Sequence, residues 1–305
     1  MLNRRQLRIK ILQLLYAFFQ SKKEDYHPGE KELLHSISKM YEMYILFILV
    51  FSELKHIAEN KISDNPNKHK EHNVFINNKF IQQINNNSSI KQTVERLNIS
   101  WIGDIEHDLI NKLFRHLITT DTYKAIIINT DDDFETHKQL CINLFKEEIC
   151  NFNLIHNYFE ENSIYWLDDI DHICSMLLKT FRKFTDNNNP KILPLWKEDE
   201  KEFVLKLFKS NIDNNKENNK LLTSYTKNWD KDRLATMDLL LMKMAICEAK
   251  EFSSIPLKVT LNEYIEISKF YSTPKSNGFI NGVLDKVFYD LKKKGEITKI
   301  GRGLI

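Results

Sequence analysis

Basic side chains are concentrated at the start of the chain, which reads MLNRRQLRIKILQLLYAFFQS. Arg4, Arg5, Arg8 and Lys10 lie in the first turns of a predicted helix, and no acidic residue occurs before Glu24. Cations at a helix N-terminus oppose the helix dipole, so the cluster carries an energetic cost. The excess of positive charge therefore predicts a negatively charged partner.

An aromatic residue accompanies these arginines on the same helix. Arg5 and Tyr16 lie on nearly the same line of a helical wheel, three turns apart. Arginines that hold phosphates beside a ring that stacks on a base suit single-stranded RNA. A solvated helix start is the alternative, and it leaves the charge bias unexplained. We therefore predict an RNA interface, and we expect alanine at Arg4, Arg5 and Arg8 to leave stability unchanged or slightly higher.

Two Asn-Gly pairs, Asn277-Gly278 and Asn281-Gly282, recur four residues apart near the C-terminus. This spacing places both glycines on one face of a helix, where each costs about 1 kcal/mol relative to alanine. The pattern predicts that another backbone or a ligand approaches this face. Tight helix–helix packing explains Gly282 equally well.

Candidate metal-binding or catalytic residues do not form a recognisable set. Asp169 and His172 are three residues apart, and Asp131–Asp133 precede His137, but solvated acidic helix faces explain both spacings better. No serine or cysteine is placed beside a histidine and an acid as a nucleophilic triad requires. We therefore expect no metal, no cofactor and no enzymatic activity.

Composition favours a helical protein. Glycine and proline, 7 and 6 of 305 residues, occur at roughly a third of their average usage. Sheets need the turns that these residues supply, so an all-α fold is predicted. The net charge of +2 restricts any nucleic-acid footprint to a local patch.

Cysteine spacing and hydropathy indicate a cytoplasmic protein. Cys141, Cys150, Cys174 and Cys247 are widely separated, as expected of reduced thiols. The longest apolar run, Tyr44–Phe51, is too short to cross a bilayer, so a buried core helix is predicted and no membrane partner is expected.

Helical periodicity is clear at the N-terminus. The apolar stripe of the first helix comprises Leu7, Ile11, Leu14, Leu15 and Phe18. This stripe needs a partner surface, which we expect the C-terminal helices to supply. Asn3 is placed to cap the helix, and a second helix is predicted over Glu32–Lys61.

The C-terminal part carries its own helix signals. A helix is predicted over Asp232–Lys250, Thr260 and Glu263 have the spacing of a capping box, and Thr273-Pro274 is expected to start the last helix. Asparagine-rich polar segments mark the middle of the chain. We predict an N-terminal region 1–59, a helical insertion 60–195 and a C-terminal subdomain 196–305.

Both ends of the chain resemble the NusB family of bacterial transcription antitermination factors. The opening RRQLRIKILQLLYAFFQS is similar to the family's arginine-rich first helix. The most specific C-terminal matches are Lys258, Val259, Asn262 and Glu263, followed by the segment Phe279–Asp285. With its central insertion, the chain is similar in layout to the long NusB-like proteins of the Bacteroidetes group.

The resemblance implies two small helical subdomains that bind boxA RNA together with NusE, the small-subunit ribosomal protein, in the elongating RNA polymerase complex. Carried over by position, the RNA-binding residues would be Arg4, Arg5, Arg8, Gln13, Tyr16, Lys275, Ser276 and Phe279. Asp238 stands at the acidic position that faces the partner, and we expect it to be exposed.

The sequence leaves two alternatives, an RNA-methyltransferase-associated NusB-like module without a catalytic domain and a protein-only interaction module, while an enzyme is rejected. A similar helical module precedes the catalytic domain of ribosomal RNA cytosine methyltransferases, but the chain ends soon after the module and lacks a glycine-rich cofactor loop. A protein-only interaction module of the transcription or ribosome-biogenesis machinery is the second possibility. The arginines of the first helix speak against it.

Overall fold

The computed structural model describes residues 3–21, 25–128, 132–226 and 235–304. The chain is 76% helical, and the described residues contain no β-strand, so the prediction of an all-α fold is confirmed. Asp131 and the segment 227–234, which holds the start of the predicted helix over Asp232–Lys250, lie outside the described residues.

Fifteen α-helices follow one another along the described residues. They are α1 (Arg4–Ser21), α2 (His27–Asp64), α3 (Asn73–Ile76), α4 (Lys79–Asn85), α5 (Ser88–Leu97), α6 (Asp104–Leu117), α7 (Asp121–Ile128), α8 (Phe134–Leu144), α9 (Asn153–Asn162), α10 (Ile170–Phe181), α11 (Glu200–Asp213), α12 (Asn215–Tyr225), α13 (Thr236–Glu251), α14 (Leu257–Tyr271) and α15 (Ser276–Lys293).

The chain forms two compact units. Unit 1 comprises residues 1–37 and 195–305, and unit 2 comprises residues 38–194. The first division therefore falls at 37/38, within α2, and not at the predicted 59/60. The reason is that the apolar residues of α2 beyond this point pack on unit 2: Phe47 contacts Phe145 and Phe159, with ring centroids 5.7 and 5.1 Å apart.

Helix α1 packs in unit 1 against α11, α13 and α14, as its apolar stripe predicts. Leu7, Ile11 and Leu15 are fully buried. The side chain of Asn3 accepts a hydrogen bond from the backbone N–H of Gln6 at 2.9 Å and so caps the helix.

The apolar run Tyr44–Phe51 lies in the core of unit 2, apart from the half-buried Leu49. Helix α2 is long and apolar enough to cross a membrane by length and composition, but 67% of its most apolar stretch is buried inside the protein. The prediction of a core helix is confirmed, because packing within unit 2 accounts for the apolar surface.

Two predicted helix starts are wrong. Helix α14 begins at Leu257, after Pro256, so Thr260 and Glu263 lie inside the helix and do not form a capping box. Helix α15 begins at Ser276, two residues after Pro274. At the start of α14, tertiary contacts account for the two side chains that the local pattern assigned to a cap, because Thr260 bonds to Glu248 and Glu263 pairs with Arg5.

Candidate nucleic-acid interface

Arg8 is a buried residue of the unit 1 core. Its side chain is 2% exposed, and its Nε and Nη2 atoms donate to the two carboxylate oxygens of Glu248 at 2.6 and 2.7 Å. Thr260 Oγ1 and Tyr264 OH also donate to this carboxylate, at 2.8 and 3.1 Å. Burial lowers the pKa of Arg8, but the hydrogen bonds and charge of Glu248 outweigh it and the net pKa is raised.

This geometry corrects the role predicted for Arg8. A phosphate on the protein surface has little access to a guanidinium that is 2% exposed and already bonded in a fork to a carboxylate. Arg8 therefore holds α1 on α13 and α14, and it does not belong to an exposed RNA-binding surface.

Arg4 and Arg5 also pair with acids, but they remain partly open to solvent. Arg5 donates from Nε and Nη2 to the carboxylate of Glu263 at 3.0 and 2.8 Å, which raises the pKa of Arg5. Arg4 bonds to Asp199, and its guanidinium lies over the ring of Phe203, 4.9 Å from the centroid. The side chains of Arg4 and Arg5 are 33% and 38% exposed. These acids provide the negative charge that the N-terminus of α1 lacks in its own sequence.

A cleft of about 760 Å³ opens beside the start of α1. Its lining residues are Asn3, Arg4, Arg5, Arg8, Ser254, Ile255, Pro256, Val259 and Glu263. The two half-exposed guanidiniums therefore face a concave surface that can receive an anionic group.

Gln13 and Tyr16 lie further along α1. The side-chain amide of Gln13 donates to Tyr271 OH at 3.3 Å, which links α1 to the end of α14. Tyr16 is 41% exposed, so part of its side chain is open to solvent. The exposed aromatic predicted from the sequence is therefore present on the described surface.

Asp238 and Ser276 form a buried polar cluster. Asp238 lies in the first turn of α13 and is 5% exposed, which contradicts its expected exposure. Ser276 Oγ donates to Asp238 Oδ2 at 2.8 Å, and Ser272 Oγ bonds to Asp238 Oδ1. Ser276 is also buried, since it begins α15 within this cluster. The carboxylate thus holds the start of α13 to the turn between α14 and α15.

Replacing Asp238 by asparagine tests this structural role. Asparagine has the same shape but replaces one acceptor oxygen by an NH2 donor, so one serine hydroxyl has to reverse its hydrogen bond and both bonds lose the assistance of the carboxylate charge. We expect the free energy of unfolding to fall by about 1 kcal/mol, the usual net contribution of a hydrogen bond. Urea denaturation of the full chain measures the change. A stability equal to that of the unaltered protein would contradict the buried cluster.

The remaining predicted residues lie at the start of α15. Lys275 is exposed, and no carboxylate of the described residues lies within ion-pair distance of it. Phe279 is half-buried. A Cβ atom added at Gly278 or Gly282 would meet nothing within 4 Å, so the close approach predicted for this face does not occur within the described chain.

Glu248 is the main residue of this region that sequence analysis missed. It is completely buried on α13 and accepts hydrogen bonds from three side chains. The sequence does contain a sign of this role, since Glu248 is the acid in the apolar run LLLMKMAICEA. A carboxylate buried by such a run requires a charged partner elsewhere in the chain.

Among the described residues, one group has the composition of a metal site: His69, Glu71 and His72 in unit 2.

Comparison with protein families matches residues 167–288 to the NusB family. The chain is 41% identical over 105 residues to the transcription antitermination protein NusB of Chloroherpeton thalassium, covering 34% of this chain and 50% of that protein. For the protein of the same name from Salinibacter ruber, identity is 39% over 105 residues, covering 34% and 66%. For that from Natranaerobius thermophilus, it is 42% over 72 residues, covering 24% and 52%. No solved structure matched the chain.

The chain spans between half and two thirds of the length of these curated relatives. The family match begins before α10 and ends within α15, so it includes α13 and α14, which hold α1 in unit 1. It also includes α10, which lies within the predicted insertion 60–195. Over residues 167–288, the chain belongs to the NusB family.

Proposed function

We propose that this chain is an RNA-binding transcription antitermination factor that binds a boxA-type ribosomal RNA leader together with NusE, within the elongating RNA polymerase complex of the cytoplasm. The observation that carries the proposal is the family match over residues 167–288, together with relatives that are named transcription antitermination proteins. The cleft beside α1 and the exposed ring of Tyr16 support the RNA-binding part.

In this proposal Arg4 and Arg5 contact phosphates and Tyr16 stacks on a base. The ion pairs of Arg4 and Arg5 are half-exposed, and such pairs contribute little in water, so a phosphate can replace the carboxylate partner. A guanidinium bonds a phosphate in the same forked manner as a carboxylate. Lys275 supplies a further exposed positive charge at the start of α15.

A protein-only interaction module is the second candidate function. The observation that favours it is the neutralisation of Arg4, Arg5 and Arg8 by Asp199, Glu263 and Glu248. In that case the basic residues of α1 serve the fold, and RNA affinity does not depend on them.

Replacing Arg4 and Arg5 by alanine separates the two functions. Each phosphate contact on single-stranded RNA adds about 0.7 to the log–log salt slope, so losing two should flatten the slope by about 1.4. The measurement is the affinity for boxA RNA across a salt series, with and without NusE. The matched control is alanine at Arg115 and Arg182, two exposed arginines of unit 2.

The control variant removes the same charge and should leave the slope nearly unchanged. An equal effect of both double variants would indicate non-specific attraction. If the Arg4 and Arg5 variant binds RNA as the unaltered protein does, these residues do not contact phosphate and the protein-only module is the better account.

A further inference from the structure

The segment that follows α2 brings together three side chains able to bind a metal ion. His69, Glu71 and His72 each offer one ligand atom, and these atoms all lie within 4.8 Å of one another. Glu71 and His72 belong to a short 3₁₀-helix, Lys70–His72, and His69 is the residue directly before it. The distance from His72 Nε2 to Glu71 Oε1 is 3.9 Å.

His72 is held in a fixed orientation. It is almost fully buried, its Nδ1 atom is 2.9 Å from Tyr123 OH, and its ring packs edge-on against Phe114 with centroids 5.1 Å apart. A hydrogen bond at one ring nitrogen leaves the other nitrogen for a metal, and such outer partners fix the ring in metal sites. Burial lowers the pKa of His72.

The two imidazole rings have a separation that suits a shared ion. Their centroids are 5.2 Å apart, and the ring planes differ by 14°. Two histidines on one tetrahedral zinc, with Zn–N bonds of about 2.0–2.1 Å, place their centroids about 5 Å apart. His69 is half-buried and Glu71 is exposed, so both side chains can adjust and an ion can enter from solvent.

We propose that His69, Glu71 and His72 form a binding site for a divalent transition-metal ion of the zinc type, with solvent completing the coordination. Neutral imidazoles and one carboxylate match the nitrogen and oxygen ligands that zinc prefers. The hydrogen bond of His72 to Tyr123 ties this site to α7, within the same unit 2.

Zinc titration of the full chain, freed of any purification tag, tests this site. Isothermal titration should show one saturable ion per chain, and zinc should raise the temperature of unfolding because it binds the folded state. Alanine at His69 and glutamine at Glu71 should each abolish or strongly weaken binding. His72 is left unaltered because its burial makes a substitution there disruptive to the fold.

Two further variants make the result specific. Alanine at His27 is the matched control, since His27 and Glu30 form an exposed pair, Nδ1 to Oε2 3.4 Å, without a second histidine described beside them. This variant should bind zinc normally. Phenylalanine at Tyr123 removes the hydrogen bond to His72 and should weaken binding about 10–100-fold, as loss of an outer partner does in known sites.

The proposal is overturned if the unaltered chain shows no saturable zinc binding. It is also overturned if the His69 and Glu71 variants bind as the unaltered chain does, or if the His27 variant loses binding to the same extent. Circular dichroism of each variant, compared with the unaltered chain, confirms that a lost signal reflects lost ligands.

Discussion

Alanine at Arg8 is expected to lower the free energy of unfolding by about 3–5 kcal/mol, because removing one partner of a buried ion pair leaves an uncompensated charge. Glu248 would keep Thr260 and Tyr264 as donors but would lose the cation that neutralises it. With a urea dependence of about 1–3 kcal/mol per molar, the unfolding midpoint should fall by about 1 M or more. Urea denaturation of the full chain, followed by circular dichroism, measures it.

Two comparisons identify the cause of this loss. Alanine at Arg4 removes a half-exposed pair with Asp199 and should cost no more than about 1 kcal/mol. Replacing Arg8 by methionine together with Glu248 by leucine removes both buried charges, so this double variant should be more stable than the Arg8 single variant. If alanine at Arg8 is as harmless as alanine at Arg4, the buried pair does not form in solution.

The sequence alone leads to a different expectation, in which alanine at the three arginines leaves stability unchanged or slightly higher. In the sequence, the positively charged start of α1 has no acidic residue nearby. In an isolated helix, such cations at the N-terminus oppose the helix dipole and would be destabilising. In the structure the acids come from far along the chain: Arg4 pairs with Asp199, Arg5 with Glu263 and Arg8 with Glu248. These separations of 195 to 258 residues lie beyond any local pattern.

Features that depend on local periodicity were predictable. The apolar stripe of α1, the cap at Asn3 and the buried run Tyr44–Phe51 follow from spacing and side-chain type, and the structure confirms each of them. The scarcity of glycine and proline correctly excluded a sheet. The end of a compact unit within α2 was not predictable, because the helix continues while its packing partner changes.

Burial of polar residues was the main error. The resemblance implied that Asp238 faces a partner and that Ser276 lies near RNA, but the two residues satisfy each other's hydrogen bonds and so can be buried at little cost. Thr260 and Glu263 have capping-box spacing, yet they bond to Glu248 and Arg5. The spacing of a motif shows which hydrogen bonds are possible locally, but which of them form depends on the tertiary contacts of the same side chains.

Alanine at Tyr16 is expected to weaken binding of boxA RNA by about 1–3 kcal/mol, the contribution of one base stacked on an aromatic ring. Because stacking involves no counterion, the salt slope should stay the same, in contrast to the effect of alanine at Arg4 and Arg5. The side chain is partly exposed on α1, so the stability of the protein should change little. Affinity measured across a salt series separates the two contributions.

Phenylalanine at Tyr16 keeps the ring and should therefore keep most of the affinity. Alanine at Tyr289, an exposed tyrosine on α15 that has no predicted RNA role, is the matched control and should bind as the unaltered protein does. Equal losses at Tyr16 and Tyr289 would indicate a non-specific effect of removing a surface ring. Unchanged affinity with alanine at Tyr16 would show that no base stacks on α1, and RNA contacts would then have to be sought around the cleft beside Arg4 and Arg5.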